Sequence, residues 1–209
     1  MAMGYLNIRK RAAKNSSLTM KFKGQNLKPY TCRQVKRNFA LHCRHHFYSV
    51  KQNKGCVMHE PPFTLERFEP KYAKQIVMLW RRAFVQALGI EPIHSVESQL
   101  YFLTNILPHS HDIWVVLTLE SKQPVAFMAM DRNEINQLYV APEFQRKGIG
   151  RLLVEEAQAR SGGELSLRTF QINHNAIEFY RRLGFTEHEG NSDNEEGLED
   201  IVFCWVQEQ

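Results

Sequence analysis

A short glycine-containing segment has the composition of an anion site. It reads Gln145-Arg-Lys-Gly-Ile-Gly150 and leads into an amphipathic stretch over residues 151–159. Two glycines allow the backbone to approach a ligand closely. The first N–H groups of a helix have no partner within the helix and lie at the positive end of its dipole. With the added charge of Arg146, Lys147 and Arg151, the segment predicts a site for a phosphate or a pyrophosphate.

The spacing of this segment differs from two common phosphate loops. A dinucleotide fold needs G-x-G-x-x-G after a strand, and a P-loop needs G-x-x-x-x-G-K-[ST]. The string here is Q-x-x-G-x-G, preceded by Leu138-Tyr-Val-Ala-Pro142. The combined motif resembles the acetyl-CoA-binding motif of the GNAT N-acetyltransferases. That resemblance implies that the amides from Gln145 through Gly148, Ile149 and Gly150 to Arg151 hold the pyrophosphate of coenzyme A.

A second motif follows in the order that the same family shows. Asn173-x-x-Ala-x-x-Phe-Tyr-x-x-Leu-Gly-Phe185 is similar to the family's later helix. The resemblance implies that Asn173 contacts the coenzyme A arm and that Tyr180 lies near the thioester sulfur. The alternative is that Tyr180 is a core aromatic residue packed on the sheet, and Phe179 and Phe185 are interpreted as core residues. The motifs and the elements around them span residues 63–206.

The chemistry that the resemblance implies is aminolysis of a thioester. It needs a base for the amine, a donor for the oxyanion and a proton for the leaving thiolate. Tyr180 is the candidate acid, and the N–H of Val140 is the candidate oxyanion donor. The backbone of Leu138 and Val140 is expected to pair with the pantetheine as an added strand. Glu134, fourteen residues before Gly148, is the candidate base; a solvated turn acid or a water chain are the alternatives.

The acceptor pocket is expected to come from the first two helices and the loop 108–112. Its aromatic candidates are Trp80, Phe84, Tyr101 and Phe102, of which the first two also fit a helix core. The polar candidates, each also interpreted as a surface residue, are His94, Glu97, His109 and His111. The segment 187–200 contains seven acids and predicts a solvated hairpin loop, or a surface that attracts a cationic amine. No metal is expected, and neither motif contains a cysteine, so an acetyl-cysteine intermediate has no candidate.

The elements that position these residues follow from the hydrophobic pattern. Alternating or β-branched segments predict strands at 63–68, 113–119, 125–130, 134–140, 165–170, from 185, and at 201–206. Helical spacing predicts helices from Pro70 to Leu88, and at 96–107, 151–159 and 173–183. The order predicts one α/β domain over residues 61–209. The resemblance implies the GNAT fold, a mixed, mostly antiparallel central sheet flanked by helices.

The composition excludes several classes of protein. Of 209 residues, 43% are hydrophobic and 23% are charged, which is typical of a globular domain. The longest stretch without a charge, 98–111, is too short and too polar for a bilayer crossing of about 20 residues. Membrane-spanning, collagen-like and wholly disordered chains are therefore excluded, and no membrane partner is expected.

The net charge of +5 is unevenly distributed. Residues 1–60 contain 13 Lys or Arg and one acid, whereas residues 61–209 carry a net charge of −7. The basic segment shows poor periodicity and is interpreted as a disordered extension. It could instead be translated upstream of a natural start at Met58, serve as a targeting peptide, or bind nucleic acid. Its His and Cys residues match no standard zinc spacing.

The cysteines are Cys32, Cys43, Cys56 and Cys204, without a CxxC pair, which favours a reducing, cytoplasmic compartment. The sequence therefore predicts an acetyl-CoA-dependent N-acetyltransferase that acts on a primary amine, in a small molecule, an amino acid or a peptide. The alternatives are a non-catalytic coenzyme A-binding regulatory module and nucleic-acid binding through residues 1–60. A homodimer is left open.

Overall fold

The computed structural model describes residues 62–208. The interpretations of residues 1–60, including the start at Met58 and the domain boundary at residue 61, lie outside the described residues. The strands are β1 (Phe63–Arg67), β2 (Asp112–Thr118), β3 (Pro124–Asp131), β4 (Glu134–Val140), β5 (Glu164–Phe170), β6 (Thr186–Glu189) and β7 (Asp200–Val206). The helices are α1 (Ala73–Leu88), α2 (Val96–Tyr101), α3 (Ile149–Arg160) and α4 (His174–Arg182). The predicted order of elements is confirmed.

The second helix is shorter than the predicted 96–107. Its N-cap is Ser95, whose Oγ accepts a hydrogen bond from the N–H of Ser98 at 3.2 Å. After Tyr101 the chain continues as a π-helical turn, Phe102–Ile106, and a 3-10 turn, Leu107–His109. Pro108 lacks an N–H and its ring clashes with the carbonyl four residues earlier, so an α-helix does not continue through it.

The seven strands form one sheet in the order β1-β2-β3-β4-β5-β7-β6. Neighbouring strands are antiparallel, except that β4 and β5 are parallel. This arrangement confirms the mixed, mostly antiparallel sheet. One face packs against α1 and α2 around a core that includes Trp80, Phe127 and Tyr139. The other face packs against α3 and α4 around a core that includes Leu138, Leu153 and Tyr180.

The parallel pair β4 and β5 is joined only at its first residues. Glu134 pairs with Ser166 and Ile135 pairs with Leu167, and no later pair joins these two strands. The next residue, Asn136, is an extra residue relative to β3, where Ala129 pairs with Gln137 and Met130 with Ile135. An extra residue of this kind bends a strand and increases its local twist. Beyond the bulge β4 and β5 are no longer paired, which leaves the β5-facing edge of β4 without a neighbouring strand.

Within residues 62–208 no helix has the length and apolar composition that a bilayer crossing requires. The same residues contain no group of three or more His, Cys, Asp or Glu that could hold a metal ion.

Candidate active site

A cavity of about 750 Å³ lies at the end of β4, beyond the residues at which β4 pairs with β5. Its walls come from the end of α1, the end of β4, the β4–α3 loop, the first turn of α3 and α4. Eight of the eleven residues predicted to bind the cofactor line it: Leu138, Val140, Gln145, Arg146, Gly148, Gly150, Arg151 and Asn173. Two segments that are distant in the sequence therefore meet at one cavity.

The other three predicted residues are not among the lining residues. Ile149 is buried in the core beneath α3. The Nζ atom of Lys147 lies 4.8 Å from the centroid of the Phe144 ring. Tyr180 is completely buried. The side chains of Ile149 and Lys147 are therefore not part of the cavity wall.

The β4–α3 loop and the start of α3 require glycine at two positions, one because of its backbone conformation and the other because of a close contact. Gly148 has φ +82°, in the left-handed region that glycine adopts without steric cost. Gly150 lies in the first turn of α3, where a Cβ atom would come within 3.2 Å of the Phe179 ring. Arg146 also has a left-handed conformation, φ +62°, which costs a non-glycine residue about 1–2 kcal/mol. Of the two left-handed residues in the loop, glycine favours the conformation at position 148, whereas arginine at position 146 does not.

The free edge of β4 is its β5-facing edge beyond the bulge. The N–H of Ala141 donates to the carbonyl of Val125 in β3 at 2.8 Å. Backbone groups of successive residues in a strand point to opposite edges. The N–H of Val140 therefore points away from β3, toward the side on which β4 is no longer paired with β5. Leu138, two residues earlier, has the same orientation, so two peptide groups can pair with an extended ligand.

The two polar atoms of the Asn173 side chain have different surroundings. Its Oδ1 accepts a hydrogen bond from the N–H of Ala176 at 3.2 Å and caps α4. Its side-chain amide nitrogen Nδ2 is buried and has no hydrogen-bond partner among residues 62–208. Because a buried N–H without a partner is costly, this donor fits a ligand acceptor in the cavity that Asn173 lines.

Tyr180 lies in an aromatic cluster behind the cavity. Its ring centroid is 5.0 Å from that of Phe179, 5.6 Å from that of Phe185 and 5.5 Å from that of Phe203. Phe185 is a core residue, as predicted. Phe179, predicted as core, is half-buried: it packs against the core on this face of the sheet, and its ring also lines the cavity beside Gly150.

Glu134 is exposed at the other end of β4. It pairs with Asp131 in β3 and with Ser166 in β5, where the parallel pair is still closed. Six residues separate it from Val140, or about 20 Å along the strand. Its side chain does not contribute to the cavity wall described above.

The acceptor-side candidates lie mainly on the α1–α2 face. Trp80 and Phe84 are buried core residues of α1, and Phe102 is also buried, whereas Tyr101 is 62% exposed. Glu97 and His109 are exposed and His111 is half-buried. They do not converge with the cavity lining.

His94 differs from the other acceptor-side candidates because it joins two distant segments. Its Nε2 lies 2.6 Å from Oε2 of Glu195, in the loop between β6 and β7. Arg81 donates to the His94 carbonyl at 2.6 Å and to the buried Gln99 side chain at 2.7 Å. The β6–β7 loop is thereby held against the α1–α2 face.

The acidic segment forms the predicted hairpin, since β6 pairs with β7. It is only partly solvated. Asp200 is buried and lies 3.2 Å from Arg168, and burial raises the pKa of its carboxyl group. Glu196 is half-buried, and burial raises its pKa as well. The hairpin therefore places two desolvated carboxyl groups near the sheet.

The sequence did not indicate the remaining wall of the cavity. Gln86 and Ala87 at the end of α1, and Asn175, Glu178, Arg182 and Leu183 of α4 and its end, also line it. Asn175, Glu178 and Arg182 follow one another at steps of three and four residues along α4, which was a usable signal. The contribution of α1 depends on a tertiary contact and had no signal in the sequence.

The chain is similar to known acetyltransferases in sequence and in fold. A family model described as "Acetyltransferase (GNAT) domain" matches residues 109–187. A protein named peptidyl-lysine N-acetyltransferase YjaB, from Salmonella typhimurium strain LT2, is 26% identical over 127 residues. That match covers 58% of this chain and 81% of the relative.

Solved structures share the fold. The solution structure of apo-form YjaB from Escherichia coli has a TM-score of 0.55 and 24% identity, and the match covers 70% of this chain and 99% of that one. Spermidine N-acetyltransferase from Vibrio cholerae, in complex with CoA and spermine, has a TM-score of 0.55 and 21% identity. That match covers 70% of this chain and 96% of the solved chain.

Proposed function

We propose that the chain is a GNAT N-acetyltransferase that transfers the acetyl group of acetyl-CoA to an amine, and that its cavity is the site of this reaction. The observation that carries the proposal is the meeting of the β4–α3 loop, the free edge of β4 and Asn173 around one cavity. The non-catalytic coenzyme A-binding alternative is not favoured by these relatives.

The loop suits the pyrophosphate of acetyl-CoA. Its residues include Gly148 and Gly150 at the start of α3, where helix N–H groups lack partners within the helix. Arg146, Arg151 and Arg182 line the cavity, whereas Glu178 is the one acid among the lining residues of the described chain. The excess of positive charge supports a ligand with several phosphates.

The free edge of β4 suits the pantetheine arm. The backbone groups of Leu138 and Val140 lie on this edge and can pair with its amides as an added strand. The Nδ2 donor of Asn173 supports a further hydrogen bond to a carbonyl of the same arm. The N–H of Val140 is the proposed donor to the oxyanion that forms when the amine attacks the thioester.

Tyr180 is the proposed acid for the leaving thiolate. It follows Asn173 by seven residues and the cavity-lining Ala176 by four, so all three share one face of α4. This position supports a hydroxyl directed toward the inner end of the cavity. A purely packing role within the aromatic cluster is the alternative, and kinetics distinguish the two.

The base is proposed to act through water. Glu134 stays the candidate from the sequence, but its distance from Val140 along β4 favours a chain of water molecules over direct contact with the amine. Glu134→Gln tests this directly. A fall in kcat that is relieved at high pH supports Glu134, whereas an unchanged pH profile supports a path without it.

The acceptor is proposed to be a primary alkylamine. Two of the similar proteins bear names that refer to lysine side chains or spermidine. The excess of acids in the β6–β7 loop, which includes Asp193 and Glu199, supports attraction of a cation. Free-thiol release with acetyl-CoA tests the proposal, with a lysine peptide, its N-acetyllysine form and spermidine as acceptors. Release with none of several amines, despite acetyl-CoA binding, would count against turnover of this class.

A cytoplasmic location, a homodimer and the absence of nucleic-acid binding stay predictions from the sequence. Fractionation of the source cells, sedimentation of the full chain and salt-dependent DNA binding are the corresponding measurements.

A further inference from the structure

We propose that Gln86, at the end of α1, is a positioning residue that fixes the acetyl-CoA-binding loop through Gln145. The proposal rests on the proposed function of that loop. Gln86 lines the cavity, and neither motif includes it. Gln86 belongs to α1, which packs on one face of the sheet, whereas α3, into which the loop leads, packs on the other face. A contact between Gln86 and the loop therefore joins the two helical layers of the domain.

The contact between the two side chains uses the full donor capacity of one amide. The Nε2 of Gln145 donates to Oε1 of Gln86 at 2.9 Å and to the carbonyl of Val140 at 3.2 Å. A primary amide nitrogen has two hydrogens, so both are used. Gln145 is thereby held between α1 and the end of β4.

This clamp sits where the loop needs support. Gln145 directly precedes Arg146, whose left-handed backbone is unfavourable for a non-glycine residue. Two residues later Gly148 turns the chain into α3. Fixing the side chain of Gln145 therefore restricts the segment whose amides are proposed to meet the pyrophosphate. Preorganisation of this kind increases affinity by reducing the ordering cost of binding.

The part of α1 that carries Gln86 is fixed by packing and by a helix cap. Ala83 and Phe84, just before Gln86, are buried in the core. The helix ends three residues after Gln86 at Gly89, whose N–H donates to the carbonyl of Val85 at 2.8 Å. Gln86 itself is exposed, so its replacement leaves the core intact.

A neighbouring ion pair provides the matched control. Arg82, one turn earlier on α1, lies 3.0 Å from Glu143 in the same loop. Their side chains are 54% and 44% exposed, and neither residue lines the cavity. An exposed pair of this kind contributes little. Arg82→Gln therefore removes a link between the same elements without touching the proposed clamp.

The test measures binding of CoA to the full chain by calorimetry, together with kcat and KM for acetyl-CoA. Gln86→Leu and Gln86→Ala are expected to raise the Kd of CoA roughly 2- to 12-fold, the range of one net hydrogen bond. KM should rise in parallel while kcat is unchanged, because the clamp acts on binding. Arg82→Gln should leave all three values as in the wild type.

A double-mutant cycle separates positioning from a general structural effect. If Gln86 acts through Gln145, then Gln86→Leu has no further effect on the Kd in a Gln145→Leu background. Full additivity of the two substitutions, or a wild-type Kd in both Gln86 variants, overturns the inference. Absence of CoA binding by the wild-type chain is distinguishable from these results, because it contradicts the proposed function instead.

Discussion

Substitutions of Asn173 can distinguish its role as the N-cap of α4 from its proposed role in ligand binding. Its Oδ1 caps the helix, and its buried Nδ2 has no partner among the described residues. Asn173→Ser keeps an oxygen that can cap the helix but removes the donor. Asn173→Ala removes both, and loss of a cap costs about 1 kcal/mol. The two variants should therefore differ in stability but not in affinity.

The expected change in affinity follows from one hydrogen bond. A net contribution of roughly 0.5–1.5 kcal/mol corresponds to a Kd for CoA that is about 2- to 12-fold higher in both variants. Titration calorimetry measures the Kd, and urea unfolding measures the free energy of unfolding. Asn173→Ser should unfold within about 0.5 kcal/mol of the wild type, whereas Asn173→Ala should lose about 1 kcal/mol.

A second helix cap provides the control. Ser95 caps α2 with a bond of the same kind and lies outside the cavity lining. Ser95→Ala should lower stability by about 1 kcal/mol and leave the Kd unchanged. An unchanged Kd in Asn173→Ser would refute the assignment of Nδ2 to the ligand. A loss of stability in Asn173→Ser as large as that in Asn173→Ala would refute the separation of roles.

Three further predictions concern the acid, the loop and the hairpin. Tyr180→Phe should lower kcat about 10²-fold or more with little change in CoA affinity, and an unchanged kcat would leave Tyr180 a packing residue. Gly148→Ala and Gly89→Ala both place alanine at positive φ and should each cost about 1–2 kcal/mol in urea unfolding, but only Gly148→Ala should also weaken CoA binding. Burial raises the pKa of Glu196 above its ordinary value, so the unfolded chain ionises first and stability falls as the pH rises past 4.5. Glu196→Gln should therefore match the wild type near pH 4 and exceed it near pH 7, and a constant difference across this range would contradict the burial effect.

The sequence predicted those parts of the site that depend on local pattern. Gly148 and the residues before it mark the strand–loop–helix unit, because only a turn into a helix explains glycine, charge and periodicity together. Asn173 and Tyr180 are recognisable because helical spacing fixes them relative to each other. The order of the elements follows from the same periodicities.

Contacts between segments that are distant in the sequence could not be predicted from local sequence patterns. The extra residue at Asn136 depends on how β4 pairs with β3, and no residue type there signals a bulge. The contacts of Gln86 with Gln145 and of His94 with Glu195 join residues 59 and 101 positions apart. The second role of Phe179, whose ring lines the cavity beside Gly150, depends on a tertiary contact in the same way. Tertiary packing decides each of these features.

The central claim is that the cavity at the end of β4 binds acetyl-CoA. Calorimetric titration of the full chain with acetyl-CoA, and separately with NAD, tests it most directly. The account predicts saturable binding of acetyl-CoA that Asn173→Ser weakens, and no response to NAD. A folded chain that does not bind acetyl-CoA, or that binds it equally well after Asn173→Ser and Gly148→Ala, would contradict the account.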